Sequence, residues 1–171
     1  MDTSDKHPKI NIKLATPDWV MELLALAFLV LLIALPFIYL QSLPERIPIH
    51  FNGAGQPDGY GNRSSIWILP VTGIFLYLLL SVISAFPHIY NFPVKITNDN
   101  AEVQYRIATR LIRVLKVLIL LLFCFLSFQT IRTAAGKAAG LGKSFLPVFL
   151  LLTFGVIVFY IVVSLNNRRH S

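Results

Sequence analysis

The stretch WVMELLALAFLVLLIALPFIYL, Trp19 to Leu40, decides the class of fold, because its one charged side chain in that length is Glu22. A bilayer core about 30 Å thick is crossed by about 20 predominantly apolar residues in a helix. Three further runs approach that length: Ile66 to Phe86, Val114 to Ile131 and Phe145 to Leu165. The reading is an all-α membrane protein, a single four-helix integral membrane domain over residues 1–171, with spans at about 19–40, 66–86, 114–131 and 145–165. Composition agrees: 56% of residues are hydrophobic, mean hydropathy is +0.69, and only 13% are charged, where a soluble domain carries about 25%. The first run follows Lys6, Lys9 and Lys13 as a signal peptide would, but it is too long and no small-x-small site follows it, so an uncleaved anchor is expected.

The net charge of +7 does not imply nucleic acid, since the basic residues flank spans and do not gather on a soluble domain. On one side lie Lys6, Lys9, Lys13, Lys95, Arg106, Arg110, Arg113, Lys116, Arg168 and Arg169; on the other lie Arg46, Arg63, Arg132, Lys137 and Lys143. Basic loops stay cytoplasmic. Both termini are therefore expected in the cytoplasm of a bacterial inner membrane crossed several times, and the loop 43–65 outside. Trp19, Tyr39 and Trp67 fall at span ends, where amphipathic rings favour the headgroup layer. Pro36 and Pro70 are expected to kink the spans on either side of the outer loop.

Residues 87–113 form the inner connection. Two prolines and alternating apolar positions predict an extended segment from Pro87 to Thr97, followed by a helix capped by Thr97 or Asn98. On that helix Arg106, Arg110 and Arg113 share a face, which reads as a collar for anionic lipid headgroups, with a docking surface for a cytoplasmic partner as the other reading. The third loop, 134–144, ends in G-K-S, but the phosphate-loop spacing needs glycine where Lys137 stands, so a flexible turn is expected. Cys124 has no second cysteine to pair with and reads as a small packing residue.

The loop itself, IPIHFNGAGQPDGYGNRSS from Ile47 to Ser65, is shaped. Ile47, Ile49 and Phe51 alternate as in a strand, Asn52-Gly53 is a tight-turn dipeptide, and Pro57-Asp58-Gly59 predicts a second turn with Gly59 at positive φ. A short strand and turn unit between helices 1 and 2 is therefore expected.

The run Leu43 to Gly61, with Leu69-Pro70 after it, resembles the small membrane domain of unknown function at the N-terminus of SdpI-like immunity proteins, whose signature is I-P-x-H-F-x-x-x-G-x-x-D-x-x-G. Pro87 to Arg106 looks like a segment of stand-alone members. By position the resemblance falls on Pro48, His50, Asn52, Gly55, Asp58 and Gly61, and Arg63 stands where many relatives have Lys. SdpI-like proteins carry a further membrane region, to which immunity and the sequestering of a repressor are attached; this chain ends at Ser171.

The function expected is an integral membrane binding or sensing module, related to immunity or signalling. His50, Asn52, Asp58 and Arg63 would contact an extracytoplasmic peptide or membrane partner, and Pro48, Gly53, Gly55, Gly59 and Gly61 would shape the loop. No cofactor, metal site or catalytic residue is assigned. The alternative is a membrane enzyme using His50 and Asp58, although one imidazole and few carboxylates make a poor zinc site. Transport is third, because Glu22 and Lys116 lie towards span ends and the centres offer only groups such as Ser81, Ser84 and Thr153.

Overall fold

The computed structural model describes residues 7–168; Lys6 and Arg169 of the charge argument lie outside them. Four helices are long and apolar enough to cross a membrane. They are α1 (Thr16–Tyr39), α2 (Ile68–Ser84), α3 (Ala101–Ala134) and α4 (Phe145–Asn166). Between α1 and α2 lies an antiparallel hairpin of β1 (Arg46–Phe51) and β2 (Pro57–Asn62). The fold class read from the sequence is the observed one.

α3 is the central helix and packs against α1, α2, α4 and β1. Its buried positions, among them Gln104, Thr109, Arg113, Lys116, Leu120, Cys124, Ser127 and Ile131, recur every three or four residues, which is one face of a helix. Half of that stripe is polar. That explains why α3 starts at Ala101, well before the apolar run from Val114: Gln104 to Arg113 face neighbouring helices, a role that hydropathy cannot register. The outward faces are the reverse. Leu23, Val30, Phe37, Val71, Phe75, Leu151 and Phe154 are among many large apolar side chains left exposed on α1, α2 and α4, as lipid contact requires.

The chain has two ends, here called the hairpin end and the tail end. At the tail end the segment before α1 lies on the start of α3, where Tyr105 Oη donates to the Pro8 carbonyl at 2.9 Å and Arg106 donates to that of Lys13 at 3.3 Å. α4 is tied there too: Ser164 Oγ donates to Gln104 Oε1 at 2.6 Å, and Gln104 Nε2 donates back to the Ser164 carbonyl at 3.0 Å. The connection after α2 is not a plain extended segment. It opens with a 3₁₀ turn, Pro87–Ile89, and the cap of α3 is Asn100, whose side chain accepts from Thr97 N and donates to the Lys95 carbonyl. Tyr90 anchors it by donating to the Ile83 carbonyl at 2.7 Å, and burial raises its hydroxyl pKa to about 12.

Pro36 lies inside α1, which gives way to a 3₁₀ turn at Leu40–Ser42 soon after it. Pro70 is no kink. It occupies the first turn of α2, where the missing N–H would have had no helical partner anyway.

Candidate functional site

The hairpin rests on a small core of its own, Leu35, Leu43, Ile47, Ile66 and Ile131, with Pro48 fully buried beside it. The strand register is irregular on both sides of His50, so strict alternation fails: Ile47 and Pro48 are both buried, while Ile49 is 54% exposed. The turn is built by Asn52. Its side chain accepts from Ala54 N and Gln56 N at 3.0 and 3.1 Å, and its carbonyl accepts from Gly55 N at 2.8 Å.

The second expected turn is absent. Pro57, Asp58 and Gly59 belong to β2, and Gly59 does not have positive φ. What requires glycine at 59 is a cross-strand neighbour, since an added Cβ would lie 3.0 Å from the Cβ of His50. Asp58 accordingly does not bond the backbone ahead of it but reaches across the pair, with Oδ1 2.5 Å from His50 Nδ1. Both side chains face solvent, at 68% and 43% exposure. With the carboxylate as acceptor, Nδ1 carries the proton and Nε2 of the neutral ring is left as an accessible acceptor.

Gly55 is the position where the backbone needs φ > 0, at 74°. It also joins the hairpin to the α3–α4 loop. The Gly55 carbonyl accepts from Leu141 N at 2.7 Å, and a Cβ at Gly55 would fall 2.6 Å from the Gly142 carbonyl oxygen. Gln129 Nε2 holds the Gly140 carbonyl at 3.1 Å from the α3 side. The loop 134–144 is thus docked, not a free turn, because glycines at 55 and 140 let two backbones meet without side chains between them, while Gly142 supplies a positive φ of 85°. Gly53 has open space around it, and Gly61 makes room for the side chain of Ile49. Arg63 opens the 3₁₀ turn before α2, its N–H donating to the Glu45 carbonyl at 2.9 Å, and its side chain is half-buried.

The three arginines meet carboxylates more than solvent. Arg106 bonds Glu102 one turn back at 2.9 Å. Arg110 Nε donates to Asp18 Oδ1 at 2.9 Å, and Arg113 Nε donates to Glu22 Oε1 at 3.1 Å, both across to α1. Lys116, which the sequence placed near a span end, lies mid-way along α3 and is completely buried; its Nζ donates to Glu22 Oε2 at 2.6 Å and Ser81 Oγ at 2.9 Å and lies over the Tyr77 ring at 4.8 Å. Asp18 Oδ2 accepts from Ala15 N at 2.8 Å, closing the start of α1. Asp18 with Arg110, and Glu22 with Arg113 and Lys116, were not foreseen as a site. The available signal was complementary spacing: two acids four residues apart on one span and bases at 110, 113 and 116 on another.

Among the described residues no three His, Cys, Asp or Glu side chains come together as metal ligands. Residues 27–74, from mid-α1 through the hairpin into α2, match a domain of unknown function, DUF1648. An uncharacterized protein of Archaeoglobus fulgidus is 27% identical to this chain over 164 residues, covering 88% of each. No solved structure matches.

Proposed function

We propose that this protein is a multi-pass membrane recognition module of the SdpI-like kind, with its hairpin end outside the cytoplasm and both termini within. The surface offered is the hairpin, with His50, Asp58, Asn52 and Arg63 meeting an extracytoplasmic peptide or membrane partner in immunity or signalling. One observation carries this reading: an exposed His50–Asp58 pair stands on a hairpin anchored twice, by its apolar base and by the Gly55–Leu141 bond. Rigid presentation of polar groups lowers the ordering cost of binding. Arg106 and Arg110, partly exposed at the tail end, meet anionic headgroups. The test is a crosslinking pull-down from membranes, native protein against His50→Ala. A partner captured by the native chain and lost in a normally inserted His50→Ala chain is expected; equal capture by both sinks the hairpin's role.

A second reading has one specific support. Nδ1 of His50 on a carboxylate, with Nε2 accessible, is the arrangement of an oriented general base. Under that reading His50→Gln abolishes turnover of a substrate at the hairpin while partner capture persists, or purified protein carries stoichiometric metal.

A further inference from the structure

A cavity of about 580 Å³ opens between α1, α2 and the segment before α1 at the tail end, a site separate from the hairpin. Its wall is apolar, with Trp19, Leu23, Leu26 and Ala85, and its polar part is Asp18, Glu22, Ser81 and Arg113. From Asp18 to Leu26 it follows α1 for about 12 Å at 1.5 Å per residue. An apolar channel of that length with ions along one side has the form of an amphiphile.

The charge balance decides the sign of the head. Every carboxylate oxygen in the cluster is already committed: Asp18 to Arg110 and Ala15 N, Glu22 to Arg113 and Lys116. Arg110, Arg113 and Lys116 against Asp18 and Glu22 leave one positive charge over in the cluster, and Arg113 is the one of the three cations that lines the cavity. The spare donors belong to Arg113. Its side chain is only 8% exposed, and among the described residues its hydrogen bond is made by Nε alone; Nη1 comes no nearer than 4.0 Å to Asp18 Oδ1. Those donors open on the cavity and are free to take an acceptor that enters it.

We propose that this cavity binds an anionic amphiphile, a phosphate- or carboxylate-headed acyl chain, with its head on Arg113 and its chain along Trp19, Leu23 and Leu26. With both carboxylates already paired, the guanidinium is the charged group left to meet a head. Trp19 supplies the probe. In a Trp67→Phe background it is the sole tryptophan, and lipids with brominated chains quench it on contact.

The full-length protein is reconstituted in phosphatidylcholine bilayers holding a minor fraction of brominated phosphatidylglycerol, brominated phosphatidylcholine or brominated stearate. Phosphatidylglycerol is expected to quench as if about fivefold more concentrated than brominated phosphatidylcholine. Stronger quenching by stearate than by phosphatidylglycerol identifies a free carboxylate amphiphile, and the reverse a membrane phospholipid; either supports the site. Arg113→Gln should bring the ratio to one, and Arg113→Lys should keep part of it. Ala85→Phe, which fills the wall without touching an ion pair, decides the matter if Arg113→Gln does not fold. Equal quenching by the two phospholipids in the native protein, or a preference that survives Ala85→Phe in normally folded protein, overturns the proposal.

Discussion

Gly59 and Gly55 show how a single missing side chain positions the hairpin, and they do so for different reasons. At Gly59 the constraint is His50 across the strand pair, 3.0 Å from where a Cβ would stand, so Gly59→Val must push the imidazole off Asp58 or part the strands. Overpacking of this kind costs about 1–3 kcal/mol. Asp58→Asn weakens an exposed cross-strand hydrogen bond worth about 1 kcal/mol or less and leaves the strands in place. Thermal unfolding in detergent should therefore fall clearly for Gly59→Val and little for Asp58→Asn; equal losses would mean that the pair, not the spacing, holds the hairpin. Gly55→Ala meets both a left-handed backbone and the Gly142 carbonyl, so the hairpin and the 134–144 loop should separate. Faster hydrogen exchange at the Leu141 amide would report it, and unchanged exchange would deny that Gly55 is the joint.

Among the elements, α3 carries the cost of having polar groups inside an apolar bundle. Lys116 is wholly buried, and its charge is tolerable because Glu22, Ser81 and the Tyr77 ring surround its ammonium. Lys116→Met leaves Glu22 Oε2 without its donor, and breaking one side of a buried pair costs about 3–5 kcal/mol. Adding Glu22→Gln removes the stranded charge while still offering Arg113 Nε an acceptor, so the double variant should recover much of the loss. The cycle is read by unfolding in mixed micelles with increasing dodecyl sulfate. Strictly additive losses would show that the two side chains do not depend on each other.

For the whole molecule, the arrangement of exposed apolar side chains requires a bilayer, and α4 relies on it most. Ser164 is its one buried residue, and its ties to α3 are a few polar contacts at the tail end together with stacked Phe125 and Phe145. The orientation proposed above rests on the Lys and Arg asymmetry. With Cys124→Ala as background, a cysteine at Gln56 should react with an impermeant maleimide on intact cells and one at Asn98 should not. Labelling at 98 but not at 56 would reverse the proposed orientation, and with it the side on which the hairpin meets a partner.

The four spans and the hairpin were legible in the chain alone because lipid imposes a rule that each segment obeys by itself: about 20 apolar residues per crossing, and strand and turn residues where the backbone leaves the membrane. The strand from Ile47 and the Asn52 turn followed from local preference in the same way, but not the strand's buried face, since the irregular register about His50 buries Pro48 and exposes Ile49. Local preference failed at Pro57-Asp58-Gly59, where pairing with β1 outweighed the turn; the polar helix from Gln104 to Arg113 was foreseen, but its partners on α1 and α4 were not. Those partners are remote in sequence. Arg110 and Asp18 are 92 positions apart, and the 134–144 loop meets Gly55 through backbone atoms that carry no side-chain code. The tertiary structure decided these pairings, and with them the His50–Asp58 contact and the charged cavity, because a charge cluster or a backbone joint exists only once separate segments have been packed together.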